Sequence, residues 1–141
     1  MSDAKADWIP DYVLIFDGGS RGNPGPGYGS YLLKPLTGEP LLRRLDFGDG
    51  VTNNEAEYRA LIQGLRDLVA LLTRRGNRPE DLRLEVRGDS SLVINQLEGR
   101  WRVRKAELAP LHAEARALLD RFAGARLLWT PRAYSVAAVG H

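Results

Sequence analysis

Apolar residues follow two kinds of pattern along the chain, and these patterns predict five strands and three helices. Residues 12–16 form an unbroken apolar run with β-branched and aromatic members, which is typical of a strand buried on both faces. Residues 82–86 alternate between aliphatic and charged side chains, which is the period of a strand. The predicted strands are residues 12–16, 28–33, 40–47, 82–86 and 125–129.

Leucines at helical spacing mark the clearest predicted helix. Leu61, Leu65 and Leu68 recur every three or four residues, and Thr52 or Asn53 is a suitable N-cap at its start. Two shorter helical patterns follow, the second of which continues past a proline. The predicted helices are residues 52–76, 89–97 and 105–122.

The connections between these elements indicate one mixed sheet. Short turns join the first three strands, which should pair antiparallel, whereas the last two strands are each reached through a helix and should run parallel to a neighbour. We therefore expect an α/β fold with a mixed five-stranded sheet, three strands antiparallel and two parallel, flanked by helices. Residues 1–141 should form a single domain, with a loose N-terminal segment at 1–11 and a short atypical tail at 133–141.

Composition narrows the possible chemistry only a little. The formal net charge is +2, from 20 Lys and Arg against 18 Asp and Glu, which permits a polyanionic partner without requiring one. The chain has no cysteine, which excludes a disulfide framework, a thiolate zinc site and a cysteine nucleophile. No signal peptide pattern and no run long enough to cross a bilayer is visible. We expect a cytoplasmic protein without a membrane partner.

Two acids stand where predicted strands end. Asp17 follows the buried run at 12–16, and Asp89 follows the alternating run at 82–86. Taken alone, Asp17 is explained by a turn with Gly18, and Asp89 by an N-cap of the next helix. If the two strands are parallel neighbours, both carboxylates lie at one edge of the sheet.

A third acid, Glu57, lies on the apolar stripe of the long helix. It is one turn before Leu61, so its side chain should face the sheet, whereas Glu55 should face solvent and pair with Arg59. A buried acid satisfied by a neighbour is the less common alternative, because unpaired burial is costly. Three clustered carboxylates would repel one another unless a cation such as Mg²⁺ neutralised them.

Four segments of the chain resemble the motifs of type 1 ribonuclease H, and the resemblance spans about residues 12–132. The glycine-rich segment, the helix start and the start of the second helix match in order, each in the expected structural context. The four segments are residues 17–27 (DGGSRGNPGPG), 52–61 (TNNEAEYRAL), 88–93 (GDSSLV) and 129–132 (WTPR).

This resemblance implies a ribonuclease H-like fold and an endoribonuclease that hydrolyses the RNA strand of RNA–DNA hybrids. It implies two Mg²⁺ (or Mn²⁺) ions per site, with Asp17 bridging both and with Glu57 and Asp89 holding them from either side. The hybrid is expected to be the partner of a monomeric chain and to be recognised by shape rather than by sequence. The implied substrate contacts are Gly18, Asn23, Asn53, Asn54 and Ser91.

The chain departs from the family where a fourth acid usually completes the site. The two positions that the family pattern reserves for an Asn and an Asp are Ser135 and Val139, and no acid follows Asp120. We therefore expect weakened activity with a high metal requirement. The alternative is a non-catalytic ribonuclease H-like domain that binds hybrid or duplex nucleic acid.

A second departure concerns the basic insertion with which some family members hold their substrate. That insertion is absent here, but Trp101 lies among basic residues at 100–105. Two interpretations stay open, namely a partial replacement for the missing insertion, or a tryptophan that anchors the core beside a solvated basic face.

Overall fold

A computed structural model describes residues 7–131 of the chain. Residues 1–6 and 132–141 lie outside the described part, and with them most of the predicted N-terminal segment, the predicted tail, and the departures at Ser135 and Val139.

The described residues form one five-stranded sheet with the strand order β3-β2-β1-β4-β5. β1 pairs antiparallel with β2, and β2 with β3, whereas β4 runs parallel to both β1 and β5. The predicted fold class is therefore confirmed. The strands are β1 Tyr12–Ser20, β2 Gly25–Pro35, β3 Leu41–Val51, β4 Arg83–Gly88 and β5 Gly124–Trp129.

Three α-helices and one short 3-10 turn connect the strands. The long helix packs on the sheet through its leucine stripe, and Leu61, Leu65 and Leu68 are fully buried against β1 and β2. Within residues 7–131, no helix is both long and apolar enough to cross a membrane. The helices are α1 Asn53–Arg74, α2 Ser91–Leu97 and α3 Ala109–Leu119, and the 3-10 turn is Pro79–Asp81.

The glycine-rich segment after Phe16 is mostly strand, so the prediction that β1 ends before Asp17 was wrong. The antiparallel register with β2 continues past Asp17, which faces Ser30, as far as Ser20, which faces Gly27. Pairing with a neighbour sustains this extension, because the glycines add no side-chain preference of their own. Asp17 therefore lies within a bonded strand that holds its backbone.

The predicted third helix is shorter than its pattern suggested. It was expected over 105–122, but α3 begins at Ala109 with Pro110 in its first turn. A proline fits the first turn because its missing N–H has no partner to lose there, and it does not fit a helix interior. The predicted strand at 40–47 extends further, through Gly48 and Gly50 to Val51.

Candidate functional site

Three carboxylates converge at one edge of the sheet. One oxygen from each of Asp17, Glu57 and Asp89 lies within 4.8 Å of the others. Asp17 is in β1 and Asp89 directly follows β4, so the parallel pairing of these strands brings both acids to the same edge. Glu57, one turn into α1, completes the cluster from the helix that packs over this sheet.

The start of α1 turns Glu57 inward. Thr52 is the N-cap, and the Glu55 side chain accepts the Thr52 N–H at 2.9 Å, which completes a capping box. The predicted pairing of Glu55 with Arg59 was wrong, since the Arg59 guanidinium lies over the Phe47 ring, 4.8 Å from its centroid. The cap satisfies Glu55 locally, and Glu57, two residues on, faces the sheet.

Asp89 does not cap α2. Ser90 is the N-cap, and its hydroxyl accepts the Val93 N–H at 3.2 Å. The alternative interpretation of Asp89 as an N-cap was therefore wrong. The indole N–H of Trp129 donates to the Asp89 carbonyl at 3.1 Å. The sequence pattern did not predict this contact, although a tryptophan at the end of β5, the strand beside β4, was the available signal.

Two of the three acids in the cluster are buried, Asp89 is half-buried, and ionisation of Glu57 is disfavoured. Asp17 is 1% exposed and Glu57 is 8% exposed. Burial raises the pKa of Glu57 well above its ordinary value, and the charges of Asp89 and Asp17 raise it further, against a smaller opposing effect of a hydrogen bond from the Gly18 backbone. Within the described residues, Glu57 Oε1 is buried without a hydrogen-bond partner. Oxygen donors so arranged suit a hard divalent cation.

Gly18 allows α1 to approach the strand that carries Asp17. A Cβ built on Gly18 would overlap the backbone carbonyl of Ala56. Any side chain at this position would push the helix away from the strand, and Glu57 with it. The role of Gly18 in this structure is thus close backbone packing beside the carboxylates.

The predicted substrate contacts fall into two groups. Asn23 and Asn53 use their side-chain oxygens within the chain, since Asn23 Oδ1 accepts the Asn53 N–H at 2.9 Å and Asn53 Oδ1 accepts the Ser20 N–H at 2.8 Å. Asn54 and Ser91 lie at the starts of α1 and α2, close in sequence to Glu57 and Asp89. Asn54 lines two grooves, and Ser91 is exposed, with its hydroxyl accepting from the Asn95 amide at 3.1 Å.

Trp101 lies at the surface, so its interpretation as a core anchor was wrong. It is 48% exposed and lines a groove of about 430 Å³ that reaches Asn54. Among the described residues, no ion pair involves Arg102, Arg104 or Lys105, which line the same groove. The groove therefore combines an exposed indole with basic side chains, all from the segment between α2 and α3.

His112 contacts both α1 and α2. Its Nε2 lies 3.1 Å from the Gln96 carbonyl oxygen, and its ring meets the Tyr58 ring edge-on, with centroids 6.5 Å apart. The Tyr58 hydroxyl in turn donates to the Gln96 side chain at 2.7 Å. These contacts place His112 in the packing between α1, α2 and α3.

A family model described as reverse transcriptase-like matches residues 38–139 of the chain. The bifunctional protein Rv2228c of Mycobacterium tuberculosis is 40% identical over 122 residues, which are 86% of this chain and 31% of that protein. Ribonuclease HI of Halobacterium salinarum is 38% identical over 118 residues, which are 84% of this chain and 55% of that protein. The chain thus spans about a third to a half of the length of these curated relatives.

Solved structures extend the likeness to the fold. The N-terminal RNase H domain of Rv2228c is 35% identical with a TM-score of 0.78, over 94% of this chain and 92% of that one. LC11-RNase H1, solved in complex with an RNA/DNA hybrid, is 30% identical with a TM-score of 0.79, over 90% of both chains.

Proposed function

Since this chain belongs to the ribonuclease H family, we propose that it hydrolyses the RNA strand of RNA–DNA hybrids, with divalent cations held by Asp17, Glu57 and Asp89. The observation that carries this proposal is the convergence of three carboxylate oxygens within 4.8 Å, two of them on nearly inaccessible side chains. In a protein without a cation, such a cluster is destabilising, and its burial then has no structural benefit.

Divalent cations at such a site supply Lewis acidity for the attack of water on a phosphodiester and for the departure of the leaving oxygen. Each carboxylate has a distinct part in holding them. Asp17, in the central strand, would be shared between two Mg²⁺ (or Mn²⁺) ions, as the family resemblance implies. Glu57 lies in α1 and Asp89 directly follows β4, so the three ligands come from three separate segments of the chain.

The surface around the carboxylates suits a double-stranded polyanion. Asn54 lies three residues before Glu57 and Ser91 two residues after Asp89, and both would offer uncharged polar groups to the strand that is cleaved. The groove of Trp101, Arg102, Arg104 and Lys105 would hold the second strand by stacking and by phosphate contacts. A hybrid bound by LC11-RNase H1 supports this class of substrate.

The test is cleavage of a labelled RNA–DNA hybrid, with Mg²⁺ and Mn²⁺ assayed separately and with single-stranded and duplex RNA as competitors. Asp17→Asn should abolish cleavage while leaving the fold intact, because an amide cannot supply the charge of the carboxylate. Asp81→Asn is the matched control, since Asp81 is an exposed acid before the opposite end of β4 and should not matter.

The non-catalytic alternative makes a different prediction in the same assay. Tight binding of the hybrid by the wild-type chain, without cleavage in the presence of either metal, would show that the chain is a binding domain and not a nuclease. Full activity of Asp17→Asn would refute the assignment of the metal ligands. The monomeric state and the cytoplasmic location stay predictions.

A further inference from the structure

Two side-chain-to-backbone hydrogen bonds join the β1–β2 hairpin to the start of α1. Asn53 Oδ1 accepts the Ser20 N–H at 2.8 Å, and Asn23 Oδ1 accepts the Asn53 N–H at 2.9 Å. We call this pair of bonds the asparagine lock. It connects segments 30 or more residues apart in the sequence.

Both donors in the lock lack a partner in regular secondary structure. Ser20 is the last residue of β1, and the hairpin closes through the Arg21 N–H and the Pro26 carbonyl, so the preceding N–H points away from β2. Asn53 is the first residue of α1, where N–H groups have no intrahelical acceptor. The asparagine oxygens therefore accept two backbone N–H groups that would otherwise bond to water.

The lock lies beside the carboxylates. Ser20 is three residues after Asp17 in the same strand, and Asn53 is four residues, about one helical turn, before Glu57. Between the lock and the acids, Gly18 packs against the backbone of α1. The relative position of strand and helix is thus set at two points, by backbone contact and by the lock.

We propose that Asn23 and Asn53 are positioning residues that hold the strand carrying Asp17 against the helix carrying Glu57 and thereby set the geometry of the cation site. This inference rests on the proposed function for the presence of a cation. It assigns the two side-chain oxygens to the protein's own backbone, and it leaves only their amide nitrogens to face a substrate.

Aspartate separates the two roles of each asparagine, because it keeps the accepting oxygen and loses the amide donors. Asn53→Ala removes the acceptor, and it leaves helix propensity intact because alanine is a good helix former. Asn54, the next residue, is outside the lock and provides matched controls. Asn54→Ala tests truncation, and Asn54→Asp tests the effect of an added negative charge beside the site.

The first measurement is the Mn²⁺ affinity of the full chain without nucleic acid, by calorimetric titration. Asn53→Ala and Asn23→Ala should each weaken Mn²⁺ binding by roughly fivefold, the effect of one lost net hydrogen bond. Asn53→Asp should bind Mn²⁺ as Asn54→Asp does, and Asn54→Ala should match the wild-type chain. Unchanged Mn²⁺ affinity in both alanine variants of the lock would overturn the proposal, whether or not their melting temperatures fall, because substrate contacts and general stability do not require a change in metal affinity.

The second measurement is amide hydrogen exchange of the metal-free chain, which tests the lock without a cation. Exchange of the Ser20 amide should accelerate at least about tenfold in Asn53→Ala and return to the wild-type rate in Asn53→Asp, since protection follows the hydrogen bond. Equal exchange rates in the wild-type chain and Asn53→Ala would show that no such bond forms. A wild-type chain that takes up no Mn²⁺ would refute the cation site of the proposed function, and with it the positioning role, whereas cleavage and Mn²⁺ binding without any effect of the lock variants would refute the positioning role alone.

Discussion

Replacing Glu57 by glutamine should stabilise the metal-free chain at neutral pH. The side chain is 8% exposed, and both burial and the charges of Asp89 and Asp17 oppose its ionisation. Glutamine has nearly the same shape, carries no charge and offers an amide that can donate to the neighbouring carboxylates. The substitution should therefore remove repulsion without opening a cavity.

The size of the effect follows from the geometry. Two full charges 4.8 Å apart, the largest separation of the ligand oxygens, repel by about 3.5 kcal/mol at an effective dielectric of 20. Glu57 can instead take up a proton, which costs an ordinary glutamate about 3.7 kcal/mol at pH 7 and so limits the gain. We expect Glu57→Gln to raise the free energy of unfolding by about 1–3 kcal/mol, or the melting temperature by about 3–10 °C.

The pH dependence has a defined sign. Because the folded-state pKa of Glu57 is raised, its contribution to wild-type stability is fully present below the unfolded glutamate pKa and is lost as pH rises through the folded value. The advantage of Glu57→Gln should thus be absent near pH 4 and grow toward neutrality. Saturating Mn²⁺ should reverse it, since a thousandfold excess over the dissociation constant adds about 4.1 kcal/mol to the wild-type chain, which exceeds the expected gain of the variant.

Chemical denaturation of both proteins in EDTA, from pH 4 to pH 8, measures this difference directly. Glu55→Gln is the control, because Glu55 belongs to the capping box and its neutralisation relieves no repulsion in the cluster. A Glu57→Gln variant less stable than the wild-type chain at pH 7 in EDTA would show that the Glu57 carboxylate is well satisfied as an ion. The argument for a cation site from electrostatic strain would then fail.

Three further substitutions test other parts of the structure. Gly18→Ala should cost about 1–3 kcal/mol of stability, because its Cβ would overlap the Ala56 carbonyl, and thermal unfolding measures this loss. Trp101→Ala should weaken hybrid binding about tenfold in an anisotropy titration on an Asp17→Asn background, because its exposed indole provides stacking. Trp101→Ala alone should keep the Mn²⁺ affinity of the wild-type chain. Val139→Asp lies outside the described residues, and from sequence alone we expect it to lower the Mg²⁺ concentration for half-maximal cleavage. An unchanged requirement would mean that three acids suffice.

The groove lined by Trp101 and Lys105 also predicts how hybrid binding depends on salt concentration. Each basic residue that contacts a phosphate releases counterions, so loss of Lys105 should lower the salt slope of hybrid binding by about one unit. The sequence alone left the role of this segment open between packing and substrate contact. Exposure of Trp101 decides against packing, since a core anchor would be buried.

The order of strands and helices, the mixed sheet and the three acids could all be predicted from the sequence. The sequence contains this local information in residues only a few positions apart. Such residues determine the strand and helix periods, the cap at Thr52 and the side of α1 that faces the sheet. Parallel pairing of the first and fourth strands could be predicted because a helix connects them, and parallel neighbours need such a crossover connection. Convergence of the three acids could thus be predicted from the sequence.

Contacts between distant segments were decided only by the tertiary structure. Pairing with β2 extends β1 through Asp17, and packing of α1 on the sheet brings the asparagine oxygens to the Ser20 and Asn53 amides. The Trp129 bond to the Asp89 carbonyl likewise spans 40 residues. A sequence pattern states which side chain can donate or accept, but the choice among partners depends on which backbones approach within hydrogen-bonding distance, and only the packed fold determines that approach.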